Sequence, residues 1–237
     1  MENKKFLIWV FVLVFCSLGV FGYSNVIVVS TYAGDIGSDF STRDTGNTFQ
    51  VGDDTGGLNI NYRAYIDFYL NNSLSQDIIQ HPQKILSVTL NITTNTNSVV
   101  RTINLNIINM TNPSLGGYKN TATPNNDNDF LYRDIGNQPS GASTYSGQTG
   151  DYYTGFPIPA TNGLSNLISL NGVAPTRIKH DISIDNNLNF SIGIIMNDEG
   201  VTDTVFSFNG IGSISPPILI LSIENVSPQI IVSPNIT

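Results

Sequence analysis

The fold is decided by the stretch Tyr62-Arg63-Ala64-Tyr65-Ile66-Asp67-Phe68-Tyr69-Leu70. Its side chains alternate between two classes at every second position, a period that is typical of a β-strand. One face carries Ala64, Ile66, Phe68 and Leu70, and the other carries Arg63, Tyr65, Asp67 and Tyr69. The stretch therefore predicts a strand whose apolar face is turned toward a core.

The same alternation recurs along the chain. Residues 85–92 predict a strand with Leu86, Val88, Leu90 and Ile92 inward, and residues 102–107 and 188–196 predict two more. Further strands are predicted at 26–32, 48–51, 205–208 and 218–223, and the last should be central and covered because it is apolar on both faces. Residues 165–170 could form a short strand or a helical turn. By contrast, residues 111–163 show little alternation and are rich in Gly, Asn, Ser, Thr, Pro and Tyr.

Composition points to the same fold class. The chain of 237 residues has only 10 Lys and Arg against 18 Asp and Glu, a formal net charge of −8. Asn, Thr, Ser, Ile, Val and Gly are abundant, and these residues favour strands and turns over helices. We expect an all-β, jelly-roll-like antiparallel β-sandwich with one long irregular loop region. Nucleic acid is not expected as a partner, because an acidic chain repels phosphates.

The first residues have the layout of a secretory signal peptide. A short charged start, Met1 to Lys5, precedes an unbroken apolar run from Phe6 to Phe15 and then small residues up to Gly22. We predict cleavage after residue 22, a sandwich domain over 23–224 and a tail over 225–237, so that the protein is secreted or displayed at the cell surface. Cleavage would remove the chain's one cysteine, Cys16. An uncleaved N-terminal anchor is the alternative.

The order of these elements resembles a known family. Thr48-Phe49-Gln50-Val51-Gly52, then Tyr62 to Phe68, then Lys84 to Ile92 resemble the opening of the DNRLRE-type carbohydrate-binding modules, which are secreted jelly-roll β-sandwiches. Residues 205–208 and Pro216-Pro217-Ile218-Leu219-Ile220-Leu221-Ser222-Ile223 are similar to the final strands of that family. The resemblance covers about half of the chain after residue 22, at its two ends. It implies a polysaccharide or glycan as partner.

Aromatic and polar side chains on one strand face suggest where such a ligand would bind. Tyr65 and Tyr69 would stand about 13 Å apart on the same face of one strand. Two rings at this spacing could stack on an extended glycan while Arg63 and Asp67 form hydrogen bonds to it. The alternative is that this face is covered by a loop or pairs across strands. Tyr145, Tyr152, Tyr153 and Phe156 form a second aromatic group, either a binding rim or an anchor for the long loop.

N-glycosylation is predicted from six Asn-x-Ser/Thr sequons, at Asn71, Asn91, Asn109, Asn189, Asn225 and Asn235. Asn91 and Asn189 fall at polar positions of predicted strands, where a glycan would leave the core undisturbed.

The residues do not predict an enzyme. No cysteine follows residue 16, and no Gly-x-Ser-x-Gly elbow is present. The two histidines, His81 and His180, are far apart and lack zinc-binding spacing. No cofactor is required, and calcium is the one ion that the sequence favours. Asn125, Asp127 and Asp129 alternate as oxygen ligands, and Asp53 and Asp54 are a second candidate. Ordinary Asn/Asp-rich turns are the alternative.

Three functions remain open at this point. The first is a carbohydrate-binding module of the extracellular space. The second is a structural subunit of a filament or coat, in which the apolar residues 26–29 complete the sheet of a neighbour by strand addition. The third is a secreted glycoside-active enzyme without a recognisable motif.

Overall fold

The computed structural model describes residues 22–39, 42–43, 46–54, 60–95, 102–110, 135, 152–170, 173–184, 188–197 and 204–224. Its strands are β1 (Tyr23–Val29), β2 (Tyr32–Gly37), β3 (Thr42–Arg43), β4 (Thr48–Asp54), β5 (Ile60–Tyr69), β6 (Ile85–Thr93), β7 (Ile103–Asn109), β8 (Tyr152–Ile158), β9 (Ser165–Leu170), β10 (Asn189–Met196), β11 (Thr204–Asn209) and β12 (Ile218–Glu224). Helices are α1 (Gln76–Gln80) and α2 (Val173–Ser183), with 3-10 turns at Leu70–Asn72 and Pro82–Lys84.

The strands form two antiparallel sheets, which confirms the predicted all-β sandwich. The small sheet has the order β1-β12-β6-β9. The large sheet has the order β11-β4-β5-β10-β7-β8, and β2 and β3 join it beside β5. Neither helix, nor any other in the described ranges, is long and apolar enough to cross a membrane.

The core lies between the two sheets and is built from their inward faces. The predicted inward side chains of β5, Ala64, Ile66 and Phe68, are completely buried, as are Ile192 and Ile194 of β10. Aromatic rings gather at the β4–β11 pair, where Phe49 and Phe208 stack with ring centroids 5.4 Å apart. From the small sheet, Val88, Leu90, Leu219 and Leu221 complete this core.

A second, smaller cluster covers the other face of the large sheet. It comprises Ile36, Tyr65, Ile108, Met110, Ile135 and Ile195, with Tyr32 packed against it. Gly193 makes this packing possible, because a Cβ there would lie 2.7 Å from the carbonyl oxygen of Ile135. The large sheet is therefore buried on both faces around β5, β7 and β10.

The predicted register of β6 is wrong at the start of the strand. Val88, Leu90 and Ile92 are buried as expected, but Leu86 is 43% exposed and Ile85 is buried instead. The cause is a β-bulge: Ser222 pairs with Ser87, and the next residue, Ile223, pairs with Ile85. The extra residue in β6 is Leu86, which turns outward.

Two further expectations about strands need correction. The predicted strand 26–32 is two strands, β1 and β2, which belong to different sheets. The long irregular region 111–163 contains β8, an edge strand that pairs with β7. Phe156 and Ile158 alternate there with Gly155 and Pro157, which are uncommon in strands, so the pattern does not indicate a strand. Proline is tolerated in β8 because β8 is an edge strand. Residues 165–170, for which a strand and a helical turn were both open, form strand β9.

Helix α2 was not predicted from the sequence, and it carries His180. Its apolar positions Ala174, Ile178 and Ile182 recur every four residues and are buried.

Strand β12 is central in the small sheet, as predicted, but only one of its faces is fully buried. Leu219, Leu221 and Ile223 face the core, while Ile218 and Ile220 are half-buried on the opposite face.

Candidate functional site

The face of β5 that carries the candidate ligand residues is covered, which is the second of the two alternatives that the sequence left open. Arg63 and Tyr65 are 1% and 3% exposed, Asp67 is buried too, and Tyr69 alone is half-buried. The ring of Tyr32 stacks on that of Tyr65, with centroids 5.8 Å apart and planes inclined by 11°. The same sequence therefore gives the alternative outcome, in which neighbouring elements cover this face.

Asp67 is held as a structural group in this interior. Ser191 Oγ donates a 2.7 Å hydrogen bond to Oδ1 of Asp67, and Ser191 stands directly opposite it on β10. Burial raises the pKa of the Asp67 carboxyl above its ordinary value, and the hydrogen bond from Ser191 opposes part of that rise. Thr31 Oγ1 donates to the backbone oxygen of Asp67 over 3.1 Å.

Other charged side chains of the large sheet are also interior. Asp35 on β2, Asp53 on β4 and Arg63 are 1%, 0% and 1% exposed. The backbone N–H of Gln50 donates a 2.6 Å hydrogen bond to Oδ2 of Asp35. Each of these three residues takes part in further interactions, and their burial means that they do not present a surface for a ligand.

An open edge distinguishes strand β1. Within the described residues, β1 ends the small sheet and pairs on one side with β12, from Tyr23 opposite Glu224 to Val29 opposite Ile218. Val28 faces the core, whereas Tyr23, Ile27 and Val29 are 67%, 57% and 51% exposed. The strand contains neither a charged residue nor a proline.

The outer face of the small sheet continues this apolar surface. The pairing places Ile220 beside Ile27 and Ile218 beside Val29, so one end of the β1–β12 half of the face is an aliphatic patch. Its other end is polar, because Ser222 Oγ donates a 3.0 Å hydrogen bond to Oδ1 of Asn25. The β6–β9 half is polar, because Thr89 pairs with Ser169 and Thr93 pairs with Ser165. Leu167 is the exposed apolar exception on β9.

A cleft of about 430 Å³ lies beside the first residues of β1. It is lined by Ser24, Val26, Ser73, Ser75, Asp77, Ile78, Lys84, Ile223 and Glu224. Val26, Ile78 and Ile223 supply aliphatic surface, and the serines and charged groups supply hydrogen-bonding positions. The cleft combines the ends of β1 and β12 with the segment that carries α1.

The charges of the cleft are partly paired. Lys84 Nζ donates to Oδ2 of Asp77 over 2.5 Å, and His81 Nδ1 lies 3.1 Å from Oδ1 of the same carboxylate. The hydrogen bond from Lys84 lowers the pKa of Asp77 below its ordinary value. Ser75 caps α1 by accepting a hydrogen bond from the backbone N–H of Ile78. Asp77, Glu224 and Lys84 leave the cleft with an acidic balance.

The cleft was not predicted from the sequence. Ser75 followed by Asp77 and Ile78 is a helix N-terminal signal, but a helix of five residues is too short for periodicity to reveal it. Helix α1 lies beside both Ser24 and Glu224 only because β1 pairs with β12. These two residues lie at opposite ends of the domain sequence.

The sequons lie in different environments. Asn71 is exposed, and Asn91 and Asn189 are half-buried. Ser165 Oγ donates a 2.7 Å hydrogen bond to Oδ1 of Asn91 across the β6–β9 pair. Asn109 is 4% exposed and stands opposite Ile192 on β10, so its packing leaves no room for a glycan. Asn225 and Asn235 lie outside the described residues.

The calcium candidates Asn125, Asp127 and Asp129 also lie outside the described residues, as does Tyr145. Of the second pair, Asp53 is interior to β4. No group of three or more His, Cys, Asp or Glu side chains in the described ranges is arranged to hold a metal ion. Phe156 packs against the core, consistent with an anchoring position in β8.

The two histidines are both exposed and belong to different elements. His81 follows α1 beside Asp77, and His180 lies on α2 with Nδ1 3.7 Å from Oδ1 of Asp181. Arg177 Nε also contacts Asp181, at 3.0 Å. That the chain is not an enzyme stays a prediction.

Comparison with known proteins places the chain in no family. No family model matches it, and no curated protein sequence matches it. The resemblance of its two ends to DNRLRE-type modules therefore stays an expectation, and the candidate site is argued from the geometry of β1 and the cleft beside it.

Proposed function

We propose that this chain is a non-catalytic module of the extracellular space that associates with copies of itself by strand addition at β1. The observation that carries the proposal is the open edge of β1, an uncharged seven-residue strand with exposed Ile27 and Val29. The predicted signal peptide supports export, because the small charged start and apolar run of residues 1–22 are typical of secreted chains.

Edge strands are normally protected against pairing with another chain. Proteins place charged side chains, prolines or bulges on them, because unpaired N–H and C=O groups invite a further strand. Strand β1 has none of these residues, and exposed β-branched side chains on its outer face favour pairing. Within the described residues this edge carries no such protection, which supports its use as an interface.

Strand addition needs no disulfide, which fits a chain whose only cysteine, Cys16, lies in the predicted signal peptide. Main-chain hydrogen bonds supply the affinity, and side chains on alternate positions supply the specificity. Since the chain is acidic, with a formal net charge of −8 over its full length, long-range repulsion opposes association. Salt screens that repulsion, so association should strengthen as ionic strength rises.

The experiment is multi-angle light scattering on the exported protein over a range of concentrations and salt. We expect the measured mass to rise above that of one chain as the protein concentration increases, and to rise more steeply at high salt. Ile27→Lys should abolish the rise, because it places a charge on the pairing edge. The matched control is Ile184→Lys, since Ile184 is 70% exposed and follows α2, outside both sheets. A single-chain mass at every concentration would contradict the proposal.

Carbohydrate binding is a second candidate, and the cleft beside β1 is the observation that favours it. Serine hydroxyls, two carboxylates and an ammonium surround aliphatic side chains there, which suits the hydroxyls and C–H faces of a neutral sugar. Tyr23 precedes Ser24 of the cleft and is 67% exposed on the opposite face of β1. The acidic balance disfavours phosphorylated ligands.

A glycan array tests this candidate. Binding should be lost in Glu224→Gln, which removes one carboxylate of the cleft with little change in size, while the melting temperature stays unchanged. Binding that survives this substitution, or an array without any bound glycan, would count against the cleft as a sugar site.

A further inference from the structure

From the geometry of β1 we infer that the strand added to it is β1 of a second copy, antiparallel and centred on Val26. This inference rests on the proposed function, and it adds the identity of the partner strand and its register. The result would be a closed dimer in which two four-stranded sheets form one continuous eight-stranded sheet.

Symmetry and the pleat restrict the register to few choices. Two identical antiparallel strands are related by a two-fold axis, and residues directly opposite each other must lie on the same face of the sheet. The axis therefore passes through a residue and not between two residues. Centring on Val26 pairs all seven residues of Tyr23–Val29, whereas centring on Asn25 or Ile27 pairs only five.

The outer face gains favourable contacts at the ends and at the centre of the seam in this register. Tyr23 of one copy stands opposite Val29 of the other, and an aromatic and a β-branched side chain are a favourable cross-strand pair. The two Ile27 side chains become diagonal neighbours, so the aliphatic patches that Ile27 and Val29 form with Ile218 and Ile220 meet at the axis. Asn25 stands opposite Ile27 and accepts a hydrogen bond from Ser222 of its own copy.

The core side gains from the same register. Val26 lines the cleft and is packed only partly against the core. Pairing brings Val26 of the second copy directly opposite, so that the aliphatic surface formed by Val26, Ile78 and Ile223 continues across the axis. No charged residue lies on either strand, so the seam itself has no like-charge contact.

The opposite edge of the small sheet offers the competing arrangement. If β1 paired with β9 of the next copy, the contact would be heterologous and would extend into a filament. The cleft and the aliphatic patch of Ile27, Val29, Ile218 and Ile220 both lie at β1 and not at β9, which favours the two-fold pair.

Cysteine cross-linking tests the register, because Cys16 is the only cysteine of the chain. In a Cys16→Ser background, Val26→Cys should form a covalent dimer on mild oxidation, since opposite residues of antiparallel strands lie within disulfide reach. Tyr23→Cys and Val29→Cys should each fail to cross-link alone, because six residues separate each from its own symmetry mate, about 20 Å along the strand. A mixture of these two variants should give a mixed dimer. Both sites are exposed, so the substitutions leave the core intact.

The possible failures are distinguishable. If the unmodified protein self-associates but Val26→Cys does not cross-link, the register is overturned while strand addition survives. Cross-linking of Ile27→Cys to Leu167→Cys in a mixture would place β9 against β1 and overturn the two-fold dimer. If the unmodified protein stays a single chain and no variant cross-links, the proposed function falls together with this inference.

Discussion

Ser191 Oγ donates a 2.7 Å hydrogen bond to Oδ1 of Asp67 directly across the β5–β10 pair. Alternation along β5 predicts Asp67 on a solvent-facing stripe, yet both residues are buried beside the second cluster of the large sheet. The pair shows why one strand can look half-polar in sequence and still be covered on both faces: its polar groups satisfy each other.

Asp67 makes the stability of the fold depend on pH. Burial raises its pKa above the ordinary 3.8, so its contribution to folding is complete below that pH and is lost as the pH rises through the folded-state pKa. Asp67→Asn keeps an oxygen that accepts from Ser191 but carries no charge. We expect the melting temperature of the variant, relative to the wild type, to increase from pH 3.5 to pH 7.

Thermal melts across this range check the prediction. Asp77→Asn is the opposite control, because the pKa of Asp77 is lowered by Lys84. Any change there should make the variant relatively less stable as the pH rises. A pH-independent difference between Asp67→Asn and the wild type would show that the Asp67 carboxyl is solvated.

The β-bulge in β6 predicts contrasting effects of one substitution in one strand. Leu90→Ala should cost about 2–5 kcal/mol in the free energy of unfolding, since Leu90 is fully buried. Leu86→Ala should cost less than about 1 kcal/mol, because Leu86 is 43% exposed. Urea denaturation of both variants measures the difference, and equal losses would mean that the bulge is elsewhere.

Much of the sandwich could be predicted from the sequence, because strands with one buried face alternate. Ala64, Ile66 and Phe68 of β5 and Ile192 and Ile194 of β10 were predicted inward and are buried. The failures have local causes. An inserted residue at Leu86 reverses the register, and no pattern within β6 announces it. The covering of Tyr65 depends on Tyr32 and Ile135, which are distant in sequence, so alternation on β5 alone gives no sign of it.

The edge of β1 was anticipated more fully than the cleft. An apolar, uncharged run at 26–29 is visible in the sequence, and its openness follows from its position at the end of the small sheet. The cleft joins Ser24, Ser75 and Glu224, whose proximity arises only from tertiary pairing.

Gly193 should be intolerant of any side chain. A Cβ there would lie 2.7 Å from the Ile135 carbonyl oxygen and 2.9 Å from its Cγ2, and the backbone oxygen cannot rotate away. Gly193→Ala should therefore cost about 1–3 kcal/mol. Gly163→Ala is no matched control, since its φ of +69° is itself unfavourable for alanine. Chemical denaturation of Gly193→Ala decides the point, and an unchanged midpoint would indicate that Ile135 does not pack on β10.

Glycan occupancy should follow exposure. In a host that N-glycosylates secreted proteins, we expect glycans on Asn71, Asn91 and Asn189 and none on the buried Asn109. Glycopeptide mass spectrometry of the exported protein measures each site. A folded protein with Asn109 occupied would contradict the packing of β7 against β10.

Amide hydrogen exchange can detect directly whether the edge strand β1 gains a further strand. In dilute protein, the amides of Tyr23–Val29 that point away from β12 should exchange quickly. As the concentration rises into the range where light scattering detects association, those amides should become protected, while the amides of β9 stay unchanged. We expect the concentration-dependent protection of amides from exchange to be confined to β1. Association without any change at β1, or protection that appears at β9 instead, would contradict it.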